Sequence, residues 1–252
     1  MIALIDIRKS FEDHLVLDGL SLRVHRGETL VLLGRSGCGK SVTLRLLLGL
    51  IQPDGGRILI DGEDVTDFDE SQWVPVRKRI GMVFQAAALF DSLTVRDNVA
   101  YSLEEHSDLT DEEIDRVVAE RLAFVGLEGT QDMMPSELSG GMRKRVALAR
   151  AMAMNPEIML YDEPTTGLDP ITARSINKLI RKTQRTYGVT SIVVTHELES
   201  GFSVADRVAV MNEGRILFVG TVDEVMRCED PFVRDFLAGP SWHEDENVTK
   251  SA

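Results

Sequence analysis

Cysteine is scarce: Cys38 and Cys228 are the only two in 252 residues. They form no metal-like spacing, and the economical reading is a cytosolic, disulfide-free protein. Long apolar runs are missing as well. No segment approaches the roughly 18 apolar residues that a bilayer crossing needs. The start, M-I-A-L-I-D-I-R, lacks the basic and apolar regions of a signal peptide. Positive charge is in deficit, with 28 Lys and Arg against 41 Asp and Glu and a formal net charge of -13. That balance argues against a nucleic-acid partner, which would want a basic face. It does not exclude a phosphate-bearing small molecule, whose phosphates meet local backbone dipoles rather than the global charge. Internal repeats and low-complexity tracts are also absent. What is present is ordinary for a globular chain, 43% hydrophobic and 27% charged, with length for one large or two small domains.

Strand-like alternation over Ile2 to Lys9 and Leu20 to Val24 predicts a small β region, with Arg26-Gly27-Glu28 turning the chain into an apolar strand, Thr29 to Leu33. Gly55-Gly56 and Asp61-Gly62 bracket another strand, R-I-L-I. From about Ser102 to Met154 the pattern is helical and charged. Thr110 with Glu113 has capping-box spacing, and Ile114, Val117, Val118, Leu122 and Val125 share a helical face. Another helix starts near Ser139 and stops at Asn155-Pro156. Buried-strand signals then return before Asp162, His196 and Asn212. The expected fold is α/β: a core with a mostly parallel sheet, an N-terminal antiparallel β subdomain and an inserted helical subdomain at about 88–155. Residues 1–239 are read as one domain and 240–252 as a polar, mobile tail.

Gly34, Arg35, Ser36, Gly37, Cys38, Gly39, Lys40 and Ser41 fit the pattern of glycine, four residues, glycine, lysine, serine or threonine. Each residue type in that pattern has a physical role. Backbone N–H groups curl around phosphate oxygens, Lys40 reaches the β/γ-phosphates, and the Ser41 hydroxyl ligates Mg²⁺. The preceding apolar strand and the following helix are the context it requires. Cys38, among the loop amides and beside Lys40, is expected to have a lowered thiol pKa.

A second apolar strand, I-M-L-Y, delivers Asp162 and Glu163 at its C-terminal end, where ligands bind in open α/β sheets. Asp162 is read as a Mg²⁺-holding carboxylate and Glu163 as the group that polarises the attacking water. Leu138 to Met142, L-S-G-G-M, opens a helix with small residues, so that Ser139, Gly140 and Gly141 leave N–H groups open to an anion. Arg143, Lys144 and Arg145 follow in its first turn, where cations oppose the helix dipole, a placement that makes more sense if a triphosphate arrives.

In this order the motifs resemble those of the ATP-binding subunit of an ABC transporter, from roughly Ile2 to Gly239. The resemblance implies a P-loop NTPase core, a single ATP-binding domain over 1–239, an ATPase using ATP and Mg²⁺, and a head-to-tail homodimer in which Ser139, Gly140 and Gly141 bind the partner's ATP. It implies that Gln85 is the glutamine that touches Mg²⁺ and links the core to the helical insert. By the same resemblance His196 is the switch histidine at the γ-phosphate, Asp169 belongs to a loop that communicates across the dimer, and Phe11 stacks on adenine. Met142 departs from the family's usual Gln, which puts a side-chain contact to the opposite nucleotide in doubt.

The segments A-L-F-D-S-L-T-V-R-D-N-V-A-Y from Ala88, E-P-T-T-G-L-D-P-I-T from Glu163 and F-V-R-D-F-L-A-G from Phe232 are similar to the ATPases of Mla-type phospholipid transporters, also known as toluene-tolerance proteins. That similarity implies a peripheral protein on the cytoplasmic face of the bacterial inner membrane. Its expected partners are a permease, a periplasmic MCE-type lipid-binding protein and a STAS-domain protein. An importer ATPase for a polar solute, a transmembrane ATPase switch without cargo and a soluble non-transport ATPase are the competing readings. The stretch from Ala86 is expected to form a groove for the permease, with Leu89, Phe90 and Leu93 as apolar contacts.

Overall fold

The apolar stretches of this chain sort into two layers because alternate residues of one sheet face opposite ways. The computed structural model describes residues 1–238; the polar tail expected over 240–252 lies outside them. Strands β1 (Ile2–Phe11) and β2 (His14–Val24) pair antiparallel, and the chain turns at Gly27 into β3 (Thr29–Leu33). Helix α1 (Lys40–Leu47) follows, then β4 (Gly55–Ile60), β5 (Glu63–Asp64), α2 (Glu70–Arg77) and β6 (Ile80–Val83). The helical insert holds α3 (Val95–His106), α4 (Asp111–Phe124) and α5 (Gly140–Met152). The chain returns through β7 (Ile158–Asp162), α6 (Pro170–Tyr187), β8 (Thr190–Thr195), α7 (Leu198–Val204), β9 (Arg207–Asn212) and β10 (Arg215–Gly220), and finishes with α8 (Val222–Val225) and α9 (Pro231–Ala238).

Two sheets result. The antiparallel one runs β2-β1-β4-β5, and the six-stranded one runs β10-β9-β3-β8-β7-β6. Within the larger sheet only the β9–β10 pair is antiparallel. The expected fold class is the observed one: mostly parallel core, antiparallel N-terminal sheet, inserted helices. Every residue of β3 is buried, as a central parallel strand covered on both faces requires.

Alternation then divides the core. Val31, Leu33, Met159, Tyr161, Val193, Val208 and Val210 join the helical insert and α6 in one cluster. Leu30, Leu32, Ile158, Leu160, Ile192, Ala209 and Met211 join α1 and the antiparallel sheet in the other. Each fully buried Leu or Val contributes about 1.5–3 kcal/mol, so the central strands anchor both halves of the core. Their C-terminal ends carry the loops of interest.

Local chemistry fixes the insert helices. Thr110 and Glu113 form the capping box at the start of α4; such caps are worth about 1 kcal/mol. Ile114, Val118, Leu122 and Val125 are buried along that face, with Val117 at its edge. Among the described residues, no helix is long and apolar enough to cross a membrane.

Candidate active site

Loop 34–41 leaves β3 and enters α1 in a conformation that its glycines permit. Gly39 sits at φ 109 as the left-handed N-cap of α1, without a side-chain cap. A Cβ there would come within 2.7 Å of Leu17 Cδ2, so glycine is required by both backbone and packing. Gly37 lies at φ 81 and faces open space. Lys40 is buried, and its Nζ donates to the carbonyl oxygens of Gly34 at 2.8 Å and Arg35 at 3.1 Å. The loop thus carries its ammonium inside its own curl.

Arg35, Ser36, Gly37, Gly39, Lys40 and Ser41 line one cavity of about 1070 Å³ together with Gln85, Glu163 and His196. Parallel strands bring them there: β6 ends just before Gln85, β7 before Glu163 and β8 before His196. Ser41 Oγ donates to Asp162 Oδ1 at 3.0 Å. Burial pushes the Asp162 carboxyl above the usual range, while the Ser41 hydroxyl and Lys40 pull it down less strongly. A carboxylate in that condition suits an incoming cation. Among the described residues, no group of three or more His, Cys, Asp or Glu could hold a metal ion. A Mg²⁺ that keeps waters and phosphate oxygens needs only a hydroxyl and one or two carboxylates from protein, so Ser41 and Asp162 fit it.

Glu163 is buried and sits at φ 47, a left-handed conformation that costs a non-glycine residue about 1–2 kcal/mol. Its Oε1 lies 2.9 Å from His196 Nδ1, and its Oε2 accepts from Thr166 Oγ1 at 3.0 Å. A carboxylate held by two neighbours and facing a solvent-connected cavity can orient water and take a proton from it.

Other predicted residues stand elsewhere. Ser139, Gly140, Gly141, Asp169 and Phe11 do not line this cavity. Ser139 caps α5, its Oγ accepting from Met142 N at 3.3 Å. Gly140 and Gly141 pack on the segment after the Gly167 turn; a Cβ on Gly141 would meet Thr172 Cγ2 at 2.5 Å. Asp169 caps α6 through the N–H groups of Ile171 and Thr172, both at 3.0 Å. Phe11 is exposed at the end of β1, with Lys9 Nζ 5.5 Å from its ring.

Three expectations are corrected. Burial pushes the Cys38 thiol pKa up rather than down, because desolvation outweighs Lys40 and the N–H groups. Arg143, Lys144 and Arg145 do not wait for a triphosphate. Arg143 donates to Leu138 O, Arg145 to Val125 O and Ser175 Oγ, and buried Lys144 to Gln85 O and Glu163 O. The groove beside the insert, about 570 Å³, is lined by Phe84, Ala88, Phe90, Tyr101 and Arg150 among others, and Leu89 packs on the core instead.

Sequence reasoning singled out the α9 segment for its family likeness but gave it no place at the site. Asp235 and Phe236 line the cavity at loop 34–41, and Asp235 Oδ2 accepts from Arg35 Nη2 at 2.8 Å. Both side chains of that pair are about 60% exposed, so it contributes ~1 kcal/mol or less. No local signal marks it, since its partners are 200 residues apart. Lys144 was legible in principle: helical spacing puts it on the face of buried Ala147 and Leu148.

Residues 17–166 match the family described as ABC transporter. The chain is 40% identical over 229 residues to the intermembrane phospholipid transport system ATP-binding protein MlaF of Haemophilus influenzae, covering 91% of this chain and 87% of that protein. Against the protein of the same name from Escherichia coli K12 the identity is 43% over 224 residues, 89% of this chain and 83% of that one. Among solved structures, a dimeric post-hydrolysis state of the ATP-binding cassette MJ0796, bound to ADP and Pi, matches with a TM-score of 0.81 and 31% identity. It covers 88% of this chain and 98% of that one.

Proposed function

The chain belongs to the ABC transporter family as an ATP-hydrolysing subunit, and from that premise we propose that it drives phospholipid between the inner and outer membranes of a bacterium. The observation that carries the lipid assignment is the 40–43% identity, over about nine-tenths of the chain, to phospholipid transport ATPases. The chain works as a head-to-tail homodimer on the cytoplasmic face of the inner membrane. It pushes on a separate permease, served by a periplasmic MCE-type lipid-binding protein and a STAS-domain protein.

In this reading the N–H groups of loop 34–41 and the Lys40 ammonium take the ATP phosphates, and Phe11 stacks on the base. Ser41, Asp162 and Gln85 hold Mg²⁺, which neutralises phosphate charge when bound. Glu163 polarises water, His196 orients Glu163 and reaches the γ-phosphate, and Ser139, Gly140, Gly141 and Asp169 act across the dimer. The cavity that gathers Lys40, Ser41, Gln85, Glu163 and His196 supports this assignment of roles. Glu163→Gln should still bind ATP while turnover falls by about 10²–10⁴, and gel filtration in Mg-ATP should then show a dimer. A Glu163→Gln protein with wild-type turnover removes Glu163 from this role.

The permease is proposed to seat a helix in the groove at Phe84, Ala88, Phe90 and Tyr101. Copurification tests the assembly. A complex that carries phospholipid and whose ATPase responds to it sustains the lipid reading. A polar-solute-binding partner, with ATPase indifferent to lipid, overturns that reading and leaves the ATPase intact.

A further inference from the structure

One side chain fastens three parts of this molecule. Lys144, in α5, is 6% exposed. Its Nζ donates to Gln85 O at 2.5 Å and to Glu163 O at 3.2 Å. The helical insert, the loop after β6 and the end of β7 therefore meet at a single ammonium. A buried cation is tolerated only where acceptors compensate its desolvation, and charge-assisted bonds are the strong ones. Another cation of the same helix, Arg150, donates to Ala88 O at 2.7 Å and Ala87 O at 2.9 Å. Ala87 and Ala88 both lie at positive φ, 64 and 49, so this loop is held against its local preference.

Glu163 is held in the same way. Its N–H donates to Val194 O at 2.9 Å within the sheet. Its carbonyl goes to Lys144, outside the sheet. At φ 47 the residue sits off the favoured backbone regions for an L-amino acid, and these two bonds determine where its Cα–Cβ bond points.

We propose that Lys144 is a positioning residue for hydrolysis, locking the backbone of Glu163 to that of Gln85 so that the Glu163 carboxylate is aimed only when loop 84–88 is seated. The proposal rests on the reading of Glu163 as the group that polarises water. It supplies a physical link from the groove, whose wall includes Phe84 and Ala88, to the carboxylate: Gln85 O, Nζ, Glu163 O. Lys144 does not line the nucleotide cavity, so its loss falls on turnover rather than on ATP affinity.

Lys144→Met keeps an unbranched chain only one atom shorter and removes the charge and the donors. In the full chain its kcat should fall about 10–100-fold, the scale of a small misplacement of a reacting group. The Kd for radiolabelled ATP, by equilibrium dialysis, should stay within about twofold, since uniform binding is untouched. Lys144→Arg, which keeps charge and donors, should recover part of the turnover. In a Glu163→Gln background, followed with radiolabelled ATP, Lys144→Met should add no further loss. Unchanged kcat, ATP affinity falling in step with kcat, or a full additional loss in the Glu163→Gln background would overturn the proposal. Should circular dichroism show Lys144→Met unfolded, Lys144→Leu carries the same comparison, since it too lacks any donor. Wild-type turnover in Glu163→Gln alone removes the underlying reading and this proposal together, and is seen before Lys144 is changed.

Discussion

Loop 34–41 and the start of α5 both present small residues at a helix N-terminus, yet they finish differently. At the loop, Gly39 caps α1 with no side chain, and Lys40 stays within the curl. Gln85, Glu163 and His196 come to the same cavity from three other strand ends. At α5 the Ser139 hydroxyl occupies the Met142 N–H, and every nearby cation is tied to its own chain. Ser139 is exposed, and no catalytic candidate faces it in the cavity that the loop lines. The first end is a site in one chain. The second is an exposed surface in this chain, and under the arrangement proposed above a second copy would complete a site on it.

The comparison breaks most plainly at Lys40. Lys40→Ala removes a charge-assisted contact of about 3 kcal/mol, so ATP affinity should drop by at least ~100-fold. Equilibrium dialysis measures it, and near-normal affinity would mean that the loop amides suffice without the ammonium.

Ser139→Arg asks whether the second end works across the dimer. Alone it should abolish turnover by steric block while leaving ATP binding in place. Mixed with Lys40→Ala, a head-to-tail pair regains one intact site, and random pairing should restore on the order of a quarter of the wild-type rate. No restoration in the mixture would place Ser139 with the loop of its own chain. Gly141→Asp is a poorer probe, because its side chain would strike Thr172 within the same protomer.

Met142→Gln sharpens the contrast at smaller scale. Met142 is half-buried against the insert core, an environment that suits a thioether. Exchanging it should cost about 1 kcal/mol in stability, the ordinary scale for a point substitution that puts a polar group at a half-buried position, and change turnover only modestly. Thermal melting and steady-state kinetics check both, and a loss as large as that of Ser139→Arg would assign the thioether a direct role.

The smallest effect is expected at Cys38. Its thiol pKa is raised by burial, so less thiolate exists at neutral pH than for a free thiol. Alkylation should be slower than that of a free cysteine and should keep accelerating with pH after the free thiol has levelled off. Mass spectrometry of the labelled chain follows it, and fast labelling at Cys38 at neutral pH would contradict the burial.

Local sequence was sufficient wherever the physics is local. Gly34 to Ser41 announces a phosphate loop because its glycines, lysine and hydroxyl act within one turn of chain. Thr110 and Glu113 announce a helix start for the same reason, and the structure contains that capping box. The apolar runs of β3, β7, β8 and β9, separated by helical stretches, were enough to expect a buried, mostly parallel sheet. Arg143 to Arg145 are the counterexample, because a run of cations at a helix start says nothing about which carbonyls lie across from it.

By itself, then, the sequence determined the order of the strands' ends and the chemistry each one delivers, since strand period, turn residues and motif spacing are properties of neighbouring residues. Only the tertiary structure decided that Lys144 points inward to Gln85 and Glu163, that Asp235 meets Arg35, and that the Cys38 thiol is raised rather than lowered. Each of those depends on desolvation or on partners brought from distant parts of the chain, and burial is set by what packs around a group, not by what precedes it.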